Sequence, residues 1–154
     1  MPVTRRSAPR ASRAGPVLES DSYLAILRTA DLLRRQSADV LKGHGLTLAQ
    51  YNVLRILRGA GSEGHLTGEI GARLVVQEPD VPRLIDRLEQ KGWVTRRREV
   101  EDRRCVRVHL TKTGRTLVDG LDAPILAMHR RQFTALSASR LQSLLDALLT
   151  IQTT

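Results

Sequence analysis

Between Trp93 and Leu110 the chain reads WVTRRREVEDRRCVRVHL, a stretch with six arginines and three acids between two short apolar runs. Arginine carries a permanent charge on a planar fork that matches phosphate oxygens two at a time and can enter a narrow, electronegative groove. Arginines at this density are chemistry for holding a polyanion, through neutralised phosphates and released counterions. Nothing else in the chain points to bond making. Cys105 is the only cysteine, so no internal disulfide is expected, and His44, His65, His109 and His129 are too scattered to form a metal signature. No nucleophile, base and orienting group recur in a recognisable arrangement. The sequence therefore predicts no enzyme, no metal and no cofactor.

The overall charge is +9, and it is unevenly placed. Arg5, Arg6, Arg10 and Arg13 give residues 1–16 a charge of +4 with no acid, and residues 46–114 contribute another +4. Clustered positive charge raises the expectation of a nucleic-acid partner. Arginine outnumbers lysine 22 to 3, however, and such a bias can also reflect codon usage, so charge alone leaves the partner open. At 154 residues and 41% hydrophobic, the chain suits one ordinary core. No apolar run reaches the roughly 18–20 residues of a membrane span, and no signal peptide is visible, so a cytoplasmic protein with no membrane partner is expected. Residues 1–19 are poor in large apolar side chains and predict a disordered basic tail. That tail serves either as a phosphate clamp or, the plainer reading, as a solubilising end.

The elements that would position the arginines follow from periodicity. A first helix starts near Ser20 or Asp21, with Tyr23, Ile26, Leu27, Ala30, Leu33, Val40 and Leu41 on one stripe, and the GHG at 43–45 ends it. Leu24 and Leu32 lie off that stripe, as on a helix with two neighbours, one of which can belong to another subunit. Thr47 and Gln50 read as a capping box for a second helix carrying Leu48, Tyr51, Val53, Leu54 and Leu57. A short third helix runs from Thr67, as N-cap, through Ile70 to Leu74. Pro79 suits the first position of a fourth, whose stripe is Val81, Leu84, Ile85 and Leu88 and whose breaker is Gly92.

Two short helices backed by another make a helix-turn-helix, whose second member characteristically enters the major groove. Arg83 lies nearly opposite the apolar stripe, among Pro79, Asp80, Pro82, Asp86 and Arg87. The arginine-rich stretch that follows has strand character at both ends, with Val106 and Val108 alternating against Arg107 and His109, and predicts a β-hairpin. Directly after a helix-turn-helix, such a hairpin is a wing. Thr111 then caps a helix with Leu117, Val118, Leu121, Ile125, Leu126 and Met128, which Pro124 should bend or interrupt. A last helix from Ser137 carries Leu141, Leu144, Leu145, Leu148 and Leu149.

The run PDVPRLIDRLEQKGWVTRRREVEDRRCVRVHLTKTGRTL closely resembles the MarR (multiple-antibiotic-resistance regulator) family of bacterial transcription factors. RLIDRLEQKGWV looks like the family's recognition-helix exit, Asp102 and Arg104 like its D-x-R wing element, and Leu110–Gly114 like its L-T-x-x-G. LTLAQYNVLRIL at 46–57 is similar to the helix before the reading head, and the resemblance covers roughly residues 20–152. It implies a mainly α fold with a small β-hairpin wing. Residues 46–110 would be the winged helix-turn-helix, and 20–45 and 111–154 a helical dimerisation layer built from both termini.

The function so implied is a homodimeric DNA-binding regulator on a pseudo-palindromic operator, a repressor relieved by a small-molecule effector. A winged-helix module for an acidic protein partner is the alternative. By position, a recognition helix from about Glu78 would bring Asp80, Pro82, Arg83 and Arg87 to the major groove, with Gln77 at its entrance. Arg96 would be the basic residue that starts the wing and, with Arg97 and Arg98, would contact DNA; Asp102 would brace the wing by pairing with a nearby arginine, leaving Arg103 or Arg104 to enter the minor groove. Pro82 stands where many relatives carry Ser or Thr. An effector cleft would draw on Tyr23, Arg28, His44 and Tyr51. Cys105, though surrounded by arginines that favour a thiolate, reads as a small half-buried strand residue.

Overall fold

A computed structural model describes residues 16–99 and 105–153. The expected roles of Asp102, Arg103 and Arg104 at the wing tip, and of the tail before residue 16, lie outside the described residues. In chain order the elements are α1 (Pro16–Lys42), α2 (Leu48–Gly59), β1 (His65–Leu66), α3 (Thr67–Arg73), α4 (Val81–Gln90), β2 (Val94–Arg98), β3 (Val106–Leu110), α5 (Lys112–Gly120), α6 (Asp122–Gln132) and α7 (Ala138–Gln152). The fold is mostly helical with a small antiparallel sheet, as expected. No helix among the described residues is long and apolar enough to cross a membrane.

The chain divides into two units, one ending at Leu33 and one running from Arg34. The first holds most of α1, which begins at Pro16, four residues before the expected start. A proline costs nothing in a first helical turn, whose N–H groups have no partner within the helix. Val17, Leu18, Tyr23, Leu24, Ile26, Leu27 and Leu32 are all exposed and point to several sides of this helix. That agrees with the two apolar strips read from its sequence.

The second unit is organised around Leu41, Leu54, Leu57, Ile70, Ile85, Leu88, Val94, Val108, Val118 and Leu121, each almost fully buried. Local chemistry sets the helix starts. The Thr47 hydroxyl accepts the Gln50 N–H at 3.2 Å while Gln50 Oε1 accepts the Thr47 N–H at 3.0 Å, completing the predicted capping box. Thr111 and Ser137 likewise cap α5 and α7. Gly92, at φ 72°, closes α4 in the left-handed region that suits glycine.

Three expectations need correction. Thr67 does not cap α3; the cap position is Leu66, whose N–H is accepted by Glu69 Oε2 at 2.9 Å. Thr67 is displaced because His65–Leu66 form a two-residue strand, β1, that pairs with β3 through His65↔Val108 and Leu66↔Arg107. The hairpin is therefore part of a three-stranded sheet of order β1-β3-β2. Finally, α4 starts at Val81 rather than near Glu78 or Pro79, because Asp80 Oδ1 accepts the Arg83 N–H at 3.0 Å and defines the cap there.

Hairpin and α5 are locked at their base. The Thr111 hydroxyl accepts the Gly114 N–H at 3.0 Å and lies 2.8 Å from Gly92 O and 3.0 Å from Trp93 O, both carbonyls able to accept its proton. The predicted interruption near Pro124 falls at Leu121, the one residue between α5 and α6. α7 buries none of its residues; Leu141, Leu144, Leu145, Leu149 and Ile151 are exposed.

Candidate nucleic-acid interface

α4 presents two faces of opposite character. Leu84, Ile85 and Leu88 are buried, while Pro82, Arg83, Asp86 and Arg87 are exposed. Arg83 and Arg87 stand one helical turn apart, and neither guanidinium forms an ion pair among the described residues. Gln77 is exposed in the turn leading to the helix, beside Glu78 and Pro79. Pro82 sits in the first turn of α4, where its missing N–H leaves no helical bond unmade.

Asp80 is held differently from the arginines. One carboxylate oxygen is committed to the cap, and the group places negative charge at the start of the exposed face of α4. Asparagine caps about as well as aspartate. Asp80→Asn should therefore leave the thermal midpoint nearly unchanged and raise affinity for unrelated duplexes several-fold, roughly twofold to tenfold at low salt, by removing like-charge repulsion from phosphate. Fluorescence anisotropy with a scrambled duplex reads this directly; unchanged binding across a salt series would show that Asp80 is remote from the phosphates.

Arg96, expected from sequence at the start of the wing, is tied into the domain. Its guanidinium bonds Asp86, lies 3.2 Å from Glu89 Oε2 and donates to Pro82 O at 2.9 Å, while its backbone N–H donates to Glu89 Oε1 at 2.9 Å. One β2 residue thus fastens the root of the hairpin to three positions of α4. Exposed pairs of this kind add only about 0–1 kcal/mol each. Arg96→Ala is expected to lower the melting temperature little yet weaken duplex binding several-fold, on the order of 5-fold, by loosening the wing against the helix. Asp86→Asn separates strut from contact: a strut predicts weaker binding, whereas a direct phosphate contact predicts stronger binding because a negative charge is gone.

The rest of the hairpin shows how so many like charges coexist. Arg97 and Arg107 are directly opposed across β2 and β3, an unfavourable pairing by itself. Glu99 relieves it by bonding the Arg107 guanidinium. Arg97 and Arg98 remain exposed at the outer end of β2, towards the tip. Val94 and Val108 are buried and Val106 half-buried, so valines root the hairpin as the alternation predicts. Beside the sheet, the Leu66 N–H and then His65, whose Nδ1 is 3.2 Å away, hold the Glu69 carboxyl below the usual carboxylate range. Cys105 is half-buried just before β3.

A profile of the MarR family matches residues 46–106, from the turn before α2 to the first residue of β3. A crystal structure of a MarR transcription factor from Planctomyces limnophilus is 35% identical, with TM-score 0.69 over 92% of this chain and 99% of that one. The chain belongs to the MarR family. It is a MarR-family transcriptional regulator, and the family's members are regulators rather than enzymes.

Among curated relatives, the HTH-type transcriptional regulator TtmR of Methylorubrum extorquens is 36% identical over 105 residues, 68% of this chain, which spans about half (53%) of TtmR. The homoprotocatechuate degradative operon repressor of Escherichia coli is 28% identical over 126 residues, 80% of this chain and 84% of that protein. A mutant of Escherichia coli MarR, solved in complex with operator DNA, superposes with TM-score 0.77 at 25% identity, over 90% of this chain and 99% of that one.

Within this MarR-family chain the residues expected to line an effector cleft have varied settings. Tyr51 is buried in the core of the second unit, with the Arg55 guanidinium 5.8 Å from its ring centre, and burial raises its phenol above the usual value. His44 is exposed in the turn after α1, and Tyr23 and Arg28 are exposed along α1 in the first unit. Sequence reasoning missed Asp86, Glu89 and Glu99 as partners. The usable signal for the first two was their three-residue spacing, which puts both carboxylates along one side of α4.

Proposed function

We propose that this MarR-family regulator reads a pseudo-palindromic DNA operator as a homodimer, and that it is a cytoplasmic repressor released by a small-molecule effector. The observation that carries the reading is the pair Arg83 and Arg87, exposed one turn apart on a helix whose other face is buried in the core. Such arginines bind guanine O6 and N7 bidentately, and Arg97 and Arg98 supply the phosphate contacts that fix register. Gln77 meets the operator at the entrance to the helix. At the wing tip, Arg103 or Arg104 reaches the minor groove, with Asp102 shaping the turn.

The second copy is supported by the apolar faces of α1 and α7, each exposed in the single chain and each larger than scattered surface residues explain. Two reading heads about 34–36 Å apart then meet successive turns of the duplex. Repression is supported by the homoprotocatechuate operon repressor among the relatives. Selection of bound sequences from a random duplex pool tests the reading. A two-fold-related motif, lost with one class of effector, is the expected outcome; equal capture of all duplexes would overturn it.

A further inference from the structure

The junction between α5 and α6 is built from residues that weaken a helix. Gly120 ends α5, and a side chain placed there would meet nothing within 4 Å, so packing does not require the glycine. Pro124, four residues on, has no N–H to offer the Gly120 carbonyl. Leu121 lies between them, 1% exposed, anchoring the apolar side of the break in the core. Backbone bonding alone therefore leaves the angle between α5 and α6 soft.

Across the polar side of the same break runs a single strap. Arg58, in the last turn of α2, places Nη1 3.1 Å from Asp119 Oδ1 and 2.9 Å from Asp122 Oδ2. Asp119 belongs to α5 and Asp122 opens α6, so one guanidinium holds carboxylates on both sides of the junction. α2 belongs to the winged-helix body, whereas α6 leads on to α7 and its exposed leucines.

We propose that Arg58 is a positioning residue for operator reading: by bridging Asp119 and Asp122 it fixes the α5–α6 angle, and with it the separation at which two reading heads are presented. The inference rests on the dimeric reading above. Displacing a recognition helix by half a base-pair step, about 1.7 Å, is enough to misregister its base contacts. The strap's effect accordingly falls on which spacing is bound, rather than on how stable the fold is.

The test uses the full chain and duplexes in which the two selected half-sites are separated by spacers changed one base pair at a time, with a single half-site as control. Wild type should prefer one spacing over its neighbours by about tenfold or more, the scale of a displaced base contact. Arg58→Ala and the isosteric pair Asp119→Asn with Asp122→Asn should both flatten that preference to roughly threefold or less while leaving single half-site binding in place. Arg58→Lys, which keeps the charge on a more flexible stem and presents it from a different position, should fall between.

The two loss variants change net charge in opposite directions. A purely electrostatic role would move them apart, whereas a lost strap moves them together, and movement apart would overturn the proposal. An unchanged spacing profile in the asparagine pair would also overturn it, whether or not the alanine variant folds. A wild type with a two-fold motif but no spacing preference sinks this inference alone; a wild type with no motif sinks the dimeric reading beneath it.

Discussion

Arg83→Ala should reduce affinity for the selected operator by roughly 10- to 100-fold while changing affinity for unrelated duplexes by only the share of one positive charge. The estimate follows from geometry. Arg83 is exposed opposite Leu84, Ile85 and Leu88, and its guanidinium takes no part in folding the domain. Its backbone N–H, which Asp80 accepts, survives the substitution, so the helix keeps its cap. Melting temperature should stay within a degree or two, because surface substitutions away from packed or capped positions change stability by about 0.5 kcal/mol or less. Lysine should restore specificity only in part, since it lacks the planar, pre-organised fork that meets guanine O6 and N7 with two parallel bonds. Titration of wild type and variant against matched and scrambled duplexes at two salt concentrations separates these terms. Equal losses on both duplexes would make Arg83 a phosphate contact and require another reader of the bases.

Gly114→Ala should produce a large loss of stability. A Cβ at Gly114 would lie 2.1 Å from the Trp93 carbonyl oxygen and 2.9 Å from Leu110 Cδ1. Neither side can withdraw freely. The same Trp93 oxygen accepts the Thr111 N–H at 3.1 Å, and the Thr111 hydroxyl holds the Gly114 N–H and faces the Gly92 and Trp93 carbonyls. Relief requires α5 to lift from the start of β2, breaking several of these bonds together. The cost is roughly 3 kcal/mol or more, comparable with severe overpacking. For a chain of this length that corresponds to a fall of about 6–12 °C in melting temperature. Gly59→Ala is the matched control: its side chain would meet open space at the end of α2, and it should hold or raise stability slightly. Thermal denaturation of the two variants tests the contrast, which equal midpoints would refute.

Elements with long apolar periods are legible in the sequence. The stripe Val81, Leu84, Ile85 and Leu88 marked α4, and Thr47, Thr111 and Ser137 marked three helix starts through local hydrogen bonds that depend on nothing distant. β1 was not readable, because two residues carry no period and its partner β3 lies about 40 residues away in sequence. The start of α4 shifted for a related reason. Pro79 and Asp80 both carry start signals, and only the Asp80 side chain's bond to Arg83 decides between them.

At the candidate site, the arginines were legible as a group, but not their separate employments. Sequence spacing showed which arginines are near the recognition helix, whereas a hairpin register and a set of rotamers decide that Arg96 turns onto Asp86 and Glu89 while Arg83 does not. Gly114 came into view only as part of L-T-K-T-G. Its necessity is a backbone approach that no pattern of side-chain types displays.

The strand order β1-β3-β2 leaves one flank of β2 without a neighbouring strand among the described residues. A flank of that kind is a template for a foreign strand and hence for aggregation. Arg97 and Arg98, exposed on β2, keep such strands away by charge and bulk. Neutralising them would consequently favour self-association, especially with β-branched replacements. Lysine at both positions would still guard the sheet.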